Sequence, residues 1–462
     1  MAEARTATIR SPYDGRVVGE VPVHDAAAVD GAVAIAGDAL EAGELATWQR
    51  AAVLDRAAAA IADRVDAFAR TIADEAAKPL KTARVEVQRA VSTFTFAAAA
   101  ARTLVGRMVP MDASEVGVGK LGFTMRVPVG VVGAISPFNF PLNLVAHKVA
   151  PAIAAGCPVV LKPAGQTPLS ALALRDLLVH ECGLPPAWFQ VVAGPGSTVG
   201  QRLVEHPGIA MLTFTGSPDV GWSIRQQAPR KKVTLELGNN APVILHADAD
   251  WEEAAARIKV AGFSHAGQSC ISTQRIYVHR SIAEGFVSAL VAGVESLALG
   301  DPGDPATDVS SLITPDETVR VGSWVDEAAA AGAGVATGGG VDGTVYRPTV
   351  LTGVTPDMKV SALEVFGPVV GVAVYDDVDD AIRLANDTRY GLQAAIWTND
   401  LDLAMRAVRR LRFGGVLVNE VPTWRTDQMP YGGERDSGNT REGPAWAVRE
   451  MTEERLVVLP AP

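Results

Sequence analysis

The amino-acid sequence predicts an α/β protein with parallel sheets, arranged as two doubly wound domains. Three observations carry this. Short apolar, β-like runs alternate with helical patterns almost throughout the 462 residues. The strand-like runs at 189–193 and 210–214 each lead into a glycine-containing turn. The alternation then restarts after about residue 240, which puts a junction near 238–241.

The elements follow in order. The alanines at 97–101 read as part of a helix that packs closely on its neighbours. Residues 107–126 are turn-rich and read as a hairpin arm leaving the first domain. PVVLKP (158–163) is a strand. Thr167-Pro168 then opens a helix that ends near Gly183, with Thr167 capping free N–H groups and Pro168 in the first turn. Strands are expected at 189–193, 210–214 and 233–237. Beyond the junction come a helix (251–262), a strand (275–279), an amphipathic helix (281–297) and further alternation to 419. No solenoid repeat is present.

Composition narrows the function. Hydrophobic residues make up 48% and charged residues 20%, the balance of a chain with a large core. The net charge of −11 comes from intermixed signs, without the basic patch or aromatic interleaving that nucleic acid requires. The most apolar stretch, 149–161, is too short for a membrane span and carries two prolines. MAEARTATIR lacks the apolar core of a secretory signal. Cys157, Cys182 and Cys270 are too scattered for a disulfide framework or a metal site. No metal is expected, and the chain reads as cytoplasmic.

Candidate chemistry sits in five places. Cys270 lies in HAGQSCIS (265–272). A buried free cysteine is the plain reading, but Gly267 allows close backbone approach, and Gln268 and Ser269 are poor core neighbours. Backbone N–H donors in such a turn favour a thiolate nucleophile. Glu236 ends an apolar strand-like run. It is either a solvent-facing strand end or a carboxylate with raised pKa suited to general-base work. Asn139, in SPFNFP (136–141), is a turn residue or a fixed oxyanion donor. Gly216–Gly221 forms a glycine turn before a helix, as a diphosphate needs, though it is neither GxGxxG nor a P-loop. Glu364 and Phe366 offer a carboxylate and an aromatic ring, or simply a turn before a strand.

Together these stretches resemble the aldehyde dehydrogenase superfamily across nearly the whole chain. PFNFP (137–141), LKPAGQTP (161–168), FTGSPDVG (214–221), LELGNN (235–240), GQSC (267–270), EVFGPV (364–369), NEVP (419–422) and PYGGERDSGNTREG (430–443) occur in that family's order. Cys270 follows Glu236 by 34 positions. The resemblance implies an aldehyde dehydrogenase-like fold: a Rossmann-like cofactor domain (1–106 and 127–238), a catalytic domain (239–428), and an oligomerisation arm with a C-terminal strand (107–126 and 444–462). It implies that Cys270 adds to the aldehyde, and that Asn139 and the Cys270 N–H hold the oxyanion. Hydride transfer then leaves a thioester, and Glu236 activates water to release the acid. Lys148 resembles a lysine near that proton path. The implied NAD or NADP cleft comprises Ile135, Ser136, Lys162, Gly165, Phe214, Gly216, Ser217, Gly221, Leu237, Glu364 and Phe366.

The departures are informative. Gly165 stands where NAD-preferring members often carry glutamate, which removes a charge that would repel a 2′-phosphate, so NADP is expected to be accepted. Asn239 and Asn240 replace Gly-Lys, and Leu363 replaces an acid. AHKVAPAIAAG, CISTQR and PTWRTDQMPYGGERDSG resemble the lactaldehyde and phosphonoacetaldehyde dehydrogenase group. Ser269 replaces an arginine that some members use for anionic substrates. Arg425 is a candidate anion clamp, with a structural role the stronger reading. The alanines near 94–102 suggest a roomier, less polar substrate pocket. Rival readings are a CoA-acylating member, against which Glu236 argues, and a silent binding relative, against which Cys270, Glu236 and Asn139 argue. The arm and the apolar tail LVVLP point to a homodimer or homotetramer.

Overall fold

The computed structural model describes residues 5–43 and 45–461. Two large sheets organise it. The first has five parallel strands in the spatial order Phe189–Val191, Val159–Lys162, Val131–Ile135, Ile209–Thr215 and Lys232–Glu236. The chain enters at the central strand and winds outward in both directions. This creates a crevice at the carboxyl ends of the strands, the usual ligand site of such sheets.

The second sheet has seven strands, ordered Gly334–Thr337, Thr349–Thr352, Val369–Tyr375, Arg275–His279, Pro242–Leu245, Gln393–Trp397 and Gly415–Val418. All neighbours are parallel except the first pair. The expected parallel α/β architecture is therefore present. The last strand of the first sheet ends at Glu236 and the first of the second begins at Pro242.

A third sheet joins Met108–Val109, Lys120–Pro128 and the tail strand Thr452–Pro460. The tail pairs with Lys120–Pro128 along its whole length, and its other edge is open. Two boundaries differ from expectation. The arm strand continues to Pro128, and the helix Pro444–Glu450 packs inward: Val448 and Met451 belong to the core of the first sheet's helices.

That core is rich in alanine. Helix Leu80–Thr103 buries Ala97, Ala98, Ala100 and Ala101 in the same cluster as helix Asn143–Ala155, every residue of which is buried. Small side chains let these backbones approach, so the alanines serve packing. They do not widen a substrate pocket.

The helix after Pro168 departs from its predicted capping. It runs Leu169–Asp176 and continues as a wider π turn over Leu177–Glu181. Thr167 gives its hydroxyl to the Phe138 carbonyl. The free N–H groups of Leu169 and Ser170 instead donate to the buried carboxylate of Glu75, from a distant helix. Among the described residues no helix is long and apolar enough to cross a membrane.

Candidate active site

The first sheet presents carboxyl ends and the second presents the segments that lead into its strands. Ile135, Lys162, Thr215 and Glu236 are the final residues of four strands of the first sheet. Cys270 precedes the strand Arg275–His279, and Glu364 and Phe366 precede Val369–Tyr375. These meet around one cavity of about 560 Å³. Its wall includes Cys270, Glu236 and Asn139, and also Ile135, Ser136, Lys162, Gly165, Phe214, Gly216, Ser217, Leu237, Glu364 and Phe366.

Two expected members stand outside it. Lys148 is buried behind the wall, where its ammonium donates to Thr215 (2.7 Å) and Thr213 (3.2 Å). Burial lowers its pKa, against the pull of Glu442 and Glu236. Gly221 lies inside helix Pro218–Gln227, and a Cβ there would fall 2.5 Å from Leu237. It lets the helix seat against the sheet and does not line the cleft.

The Cys270 loop is built to be rigid. Gly267 has φ +71°, and a Cβ there would lie 2.1 Å from the Gly367 carbonyl oxygen. Only glycine allows this loop to press against the turn that carries Glu364 and Phe366. Gln268 is buried, contrary to its expected unsuitability for the interior, because every polar group finds a partner. Its carbonyl accepts from Asn139 Nδ2 (2.9 Å), its amide donates to His265 O, and its Oε1 accepts from Ile313 N. The loop 137–142 is fixed from below by Glu86, which accepts from the N–H groups of Leu142 and Asn143 and pairs with the buried Lys78 at 2.5 Å.

Glu236 is buried with neither carboxylate oxygen hydrogen-bonded. Burial, then the neighbouring Glu442, raises its pKa well above the usual carboxylate range. Glu364 accepts from Asn239 N at 3.0 Å and rests on Gly238, where a Cβ would lie 2.3 Å from its Oε2. Burial raises its pKa to about 8.

Cys270 differs from expectation. Burial pushes its thiol up to about 12, so the turn does not by itself favour a thiolate. The strongest polar contact to its sulfur is a residue that sequence reasoning did not single out: the Tyr431 hydroxyl, 3.0 Å from Sγ. Behind Tyr431 lies a buried polar group of Arg425, Glu442, His147 and Asp427. Arg425 pairs with Glu442 at 2.8 Å, which fits the structural role and leaves no free clamp. His147 Nε2 lies 3.0 Å from Asp427 Oδ1, to which Arg89 also donates. These four groups lie behind Tyr431 and are not among the residues that line the cavity. Tyr431 and Glu442 fall within PYGGERDSGNTREG, so position within the motif was the signal that could have found them.

The family model for the aldehyde dehydrogenase family matches residues 1–457. The chain belongs to the aldehyde dehydrogenase family. It is an NAD(P)-dependent oxidoreductase that takes an aldehyde to its acid. A 3-sulfolactaldehyde dehydrogenase of Priestia aryabhattai is 46% identical over 98% of this chain and 94% of its own length. A lactaldehyde dehydrogenase of Methanococcus vannielii is 37% identical over 98% and 96%. Among solved structures, glyceraldehyde-3-phosphate dehydrogenase GapN of Methanocaldococcus jannaschii, complexed with NADP, superposes with a TM-score of 0.95 at 35% identity, covering 100% of both chains.

Proposed function

We propose that this aldehyde dehydrogenase oxidises a short hydroxy-aldehyde carrying an anionic group, and that it releases the acid to water. The observation that carries the site assignment is the convergence of Cys270, Asn139 and Glu236 on one cavity with Lys162, Ser217 and Glu364. The relatives' names support the substrate class in two parts: both 3-sulfolactaldehyde and lactaldehyde are short hydroxy-aldehydes, and the anionic group rests on the 46% identical 3-sulfolactaldehyde dehydrogenase alone.

In this reading the Cys270 sulfur attacks the carbonyl carbon. Asn139 Nδ2 has one proton directed at Gln268 O and a second free for the developing oxyanion, aided by the Cys270 N–H. Glu236 takes a proton from water, which then releases the acid. Its unpaired oxygens leave it free to do so, and Lys148 and Arg425 oppose the rise in its pKa. Water, not CoA, is the proposed acceptor because Glu236 faces the cavity.

The cleft fits a dinucleotide. Lys162 and Gly165 both line it, and nothing stands within 4 Å of where a Gly165 Cβ would be. Ser217 heads helix Pro218–Gln227, its hydroxyl not used in capping, beside Gly216. Glu364 suits a ribose hydroxyl, and Phe366 and Leu237 suit a planar ring. When bound, the nicotinamide supplies the hydride acceptor. The open space at Gly165 supports use of NADP.

We also propose that 1–106 with 127–238 form the cofactor domain, 239–428 the catalytic domain, and 107–126 with 444–462 the subunit contact. The enzyme is proposed to be a cytoplasmic homodimer or homotetramer. The test of function is reduced-nicotinamide absorbance with lactaldehyde, 3-sulfolactaldehyde and a neutral aliphatic aldehyde, each with NAD and NADP, for wild type and Cys270→Ala. Turnover favouring 3-sulfolactaldehyde and lost in the variant is expected. Preference for lactaldehyde would contradict the anionic group, preference for the aliphatic aldehyde would contradict the substrate class, and turnover surviving Cys270→Ala would contradict the nucleophile.

A further inference from the structure

The residue in contact with the Cys270 sulfur is itself held by charge. Tyr431 is 2% exposed, and its hydroxyl lies 3.0 Å from Sγ. The Arg425 guanidinium sits 3.7 Å from the centroid of the Tyr431 ring. Arg425 is fixed by Glu442 at 2.8 Å, the two side chains being 4% and 6% exposed. Glu442 and Tyr431 exchange two backbone hydrogen bonds, of 3.0 and 2.5 Å. Phenol, cation and counter-ion thus form one rigid unit directly behind the nucleophile.

We infer that Tyr431 and Arg425 stabilise the Cys270 thiolate: the Tyr431 hydroxyl donates to the sulfur as it becomes anionic, and Arg425, acting through the ring, strengthens that donor. The inference rests on reading Cys270 as the nucleophile. With a neutral thiol either atom can donate, but once Sγ is ionised only the phenol O–H can. A cation over an aromatic face draws electron density from the ring. A phenol so polarised gives a stronger hydrogen bond to an anion, and burial strengthens it further. In this step the S–H bond breaks and its proton leaves to solvent through the cavity, while Tyr431 keeps its own.

The site needs such a device. Burial raises the Cys270 pKa, and Glu364 and Glu236 push it the same way. The Tyr431 hydrogen bond and Arg425 act against them. The charged groups around the pair are Glu236 from the first sheet, Glu364 from the turn before Val369–Tyr375, and Arg425 and Glu442 from the segment between strand Gly415–Val418 and helix Pro444–Glu450. Lys148, from helix Asn143–Ala155, acts on Glu236 and Glu442. Arg425 is thus the cation that acts on both the sulfur and the phenol. Tyr431 touches the reacting atom, whereas Arg425 is a positioning residue that acts through it.

The test is the pH dependence of iodoacetamide alkylation of Cys270, located by peptide mass, in wild type, Tyr431→Phe, Arg425→Lys, Arg425→Met and the double variant Tyr431→Phe/Arg425→Met. Tyr431→Phe removes only a hydroxyl, so a folded protein is expected. Its rate midpoint should rise by about one pH unit or more, seen as roughly tenfold slower alkylation at a fixed lower pH. Arg425→Met should shift the midpoint the same way by less, Arg425→Lys should recover part of that shift, and the double variant should shift by less than the sum of the two single shifts, because part of the Arg425 effect passes through the phenol and part acts on the sulfur directly. An unchanged midpoint in Tyr431→Phe would overturn the inference. A shift from Arg425→Met that is undiminished on the Tyr431→Phe background would overturn action through the ring. The assay uses neither aldehyde nor cofactor, so absence of alkylation at wild-type Cys270 would overturn the nucleophile reading itself.

Discussion

At the scale of single residues, the site concentrates groups whose burial is not offset by ordinary partners. Glu236 is the clearest, with both carboxylate oxygens buried and unbonded. A group held this way costs stability and gains basicity once charged, which is the trade a general base needs. Gly165 carries the opposite information, an open space where a carboxylate would fit. Gly165→Glu should leave the fold intact and move the ratio of kcat/KM toward NAD by at least about tenfold, because a carboxylate beside a phosphate repels it. Parallel kinetics with both cofactors check this, and an unmoved ratio would show that Gly165 does not sense the phosphate. Cys270, Asn139 and Glu236 were legible in the sequence because each sits within a contiguous motif. The Tyr431, Arg425 and Glu442 unit was not. Its contact with Cys270 spans 161 positions, and its charges cancel pairwise, leaving no compositional trace.

At the scale of elements, the strands named at 158–163, 189–193, 210–214, 233–237 and 275–279 lie within a residue or two of the observed ones, whereas the central strand Val131–Ile135 and Pro242–Leu245 were not named. Helix starts were less legible, since a cap supplied by Glu75 from a separate helix leaves no local signal beside Thr167-Pro168. The Cys270 loop shows how one position governs an element. Gly267 combines a left-handed backbone with a would-be Cβ only 2.1 Å from a carbonyl oxygen. Gly267→Ala should therefore cost about 2 kcal/mol or more and detach the loop from the Glu364 turn. The expected readout is a lower thermal midpoint with loss of activity. Gly165→Ala, which adds a methyl to open space, should change neither. Equal midpoints for Gly267→Ala and wild type would contradict the packing argument.

At the scale of the molecule, two sheets face the cavity in opposite senses. One contributes strand ends and their crevice, the other the loops that hold Cys270 and Glu364. The parallel α/β architecture was legible from the alternation of elements. The inward packing of helix Pro444–Glu450 was not, because a short helix before an apolar tail gives no sign of which core it joins. The tail strand leaves an open edge and exposes Leu456, Val458 and Leu459. An edge of that kind invites pairing with a second copy. Light scattering should give a dimer or tetramer, and a clean monomer at micromolar concentration would contradict the subunit role of this strand.

The central claim is that Cys270 forms the covalent intermediate and Glu236 releases it. A rapid-mixing experiment on Glu236→Gln, with intact-mass detection, tests it most directly. The account predicts a burst of about one equivalent of reduced nicotinamide, little further turnover, and an acyl adduct that maps to Cys270. Sustained wild-type turnover in this variant, or an adduct on another residue, would contradict it.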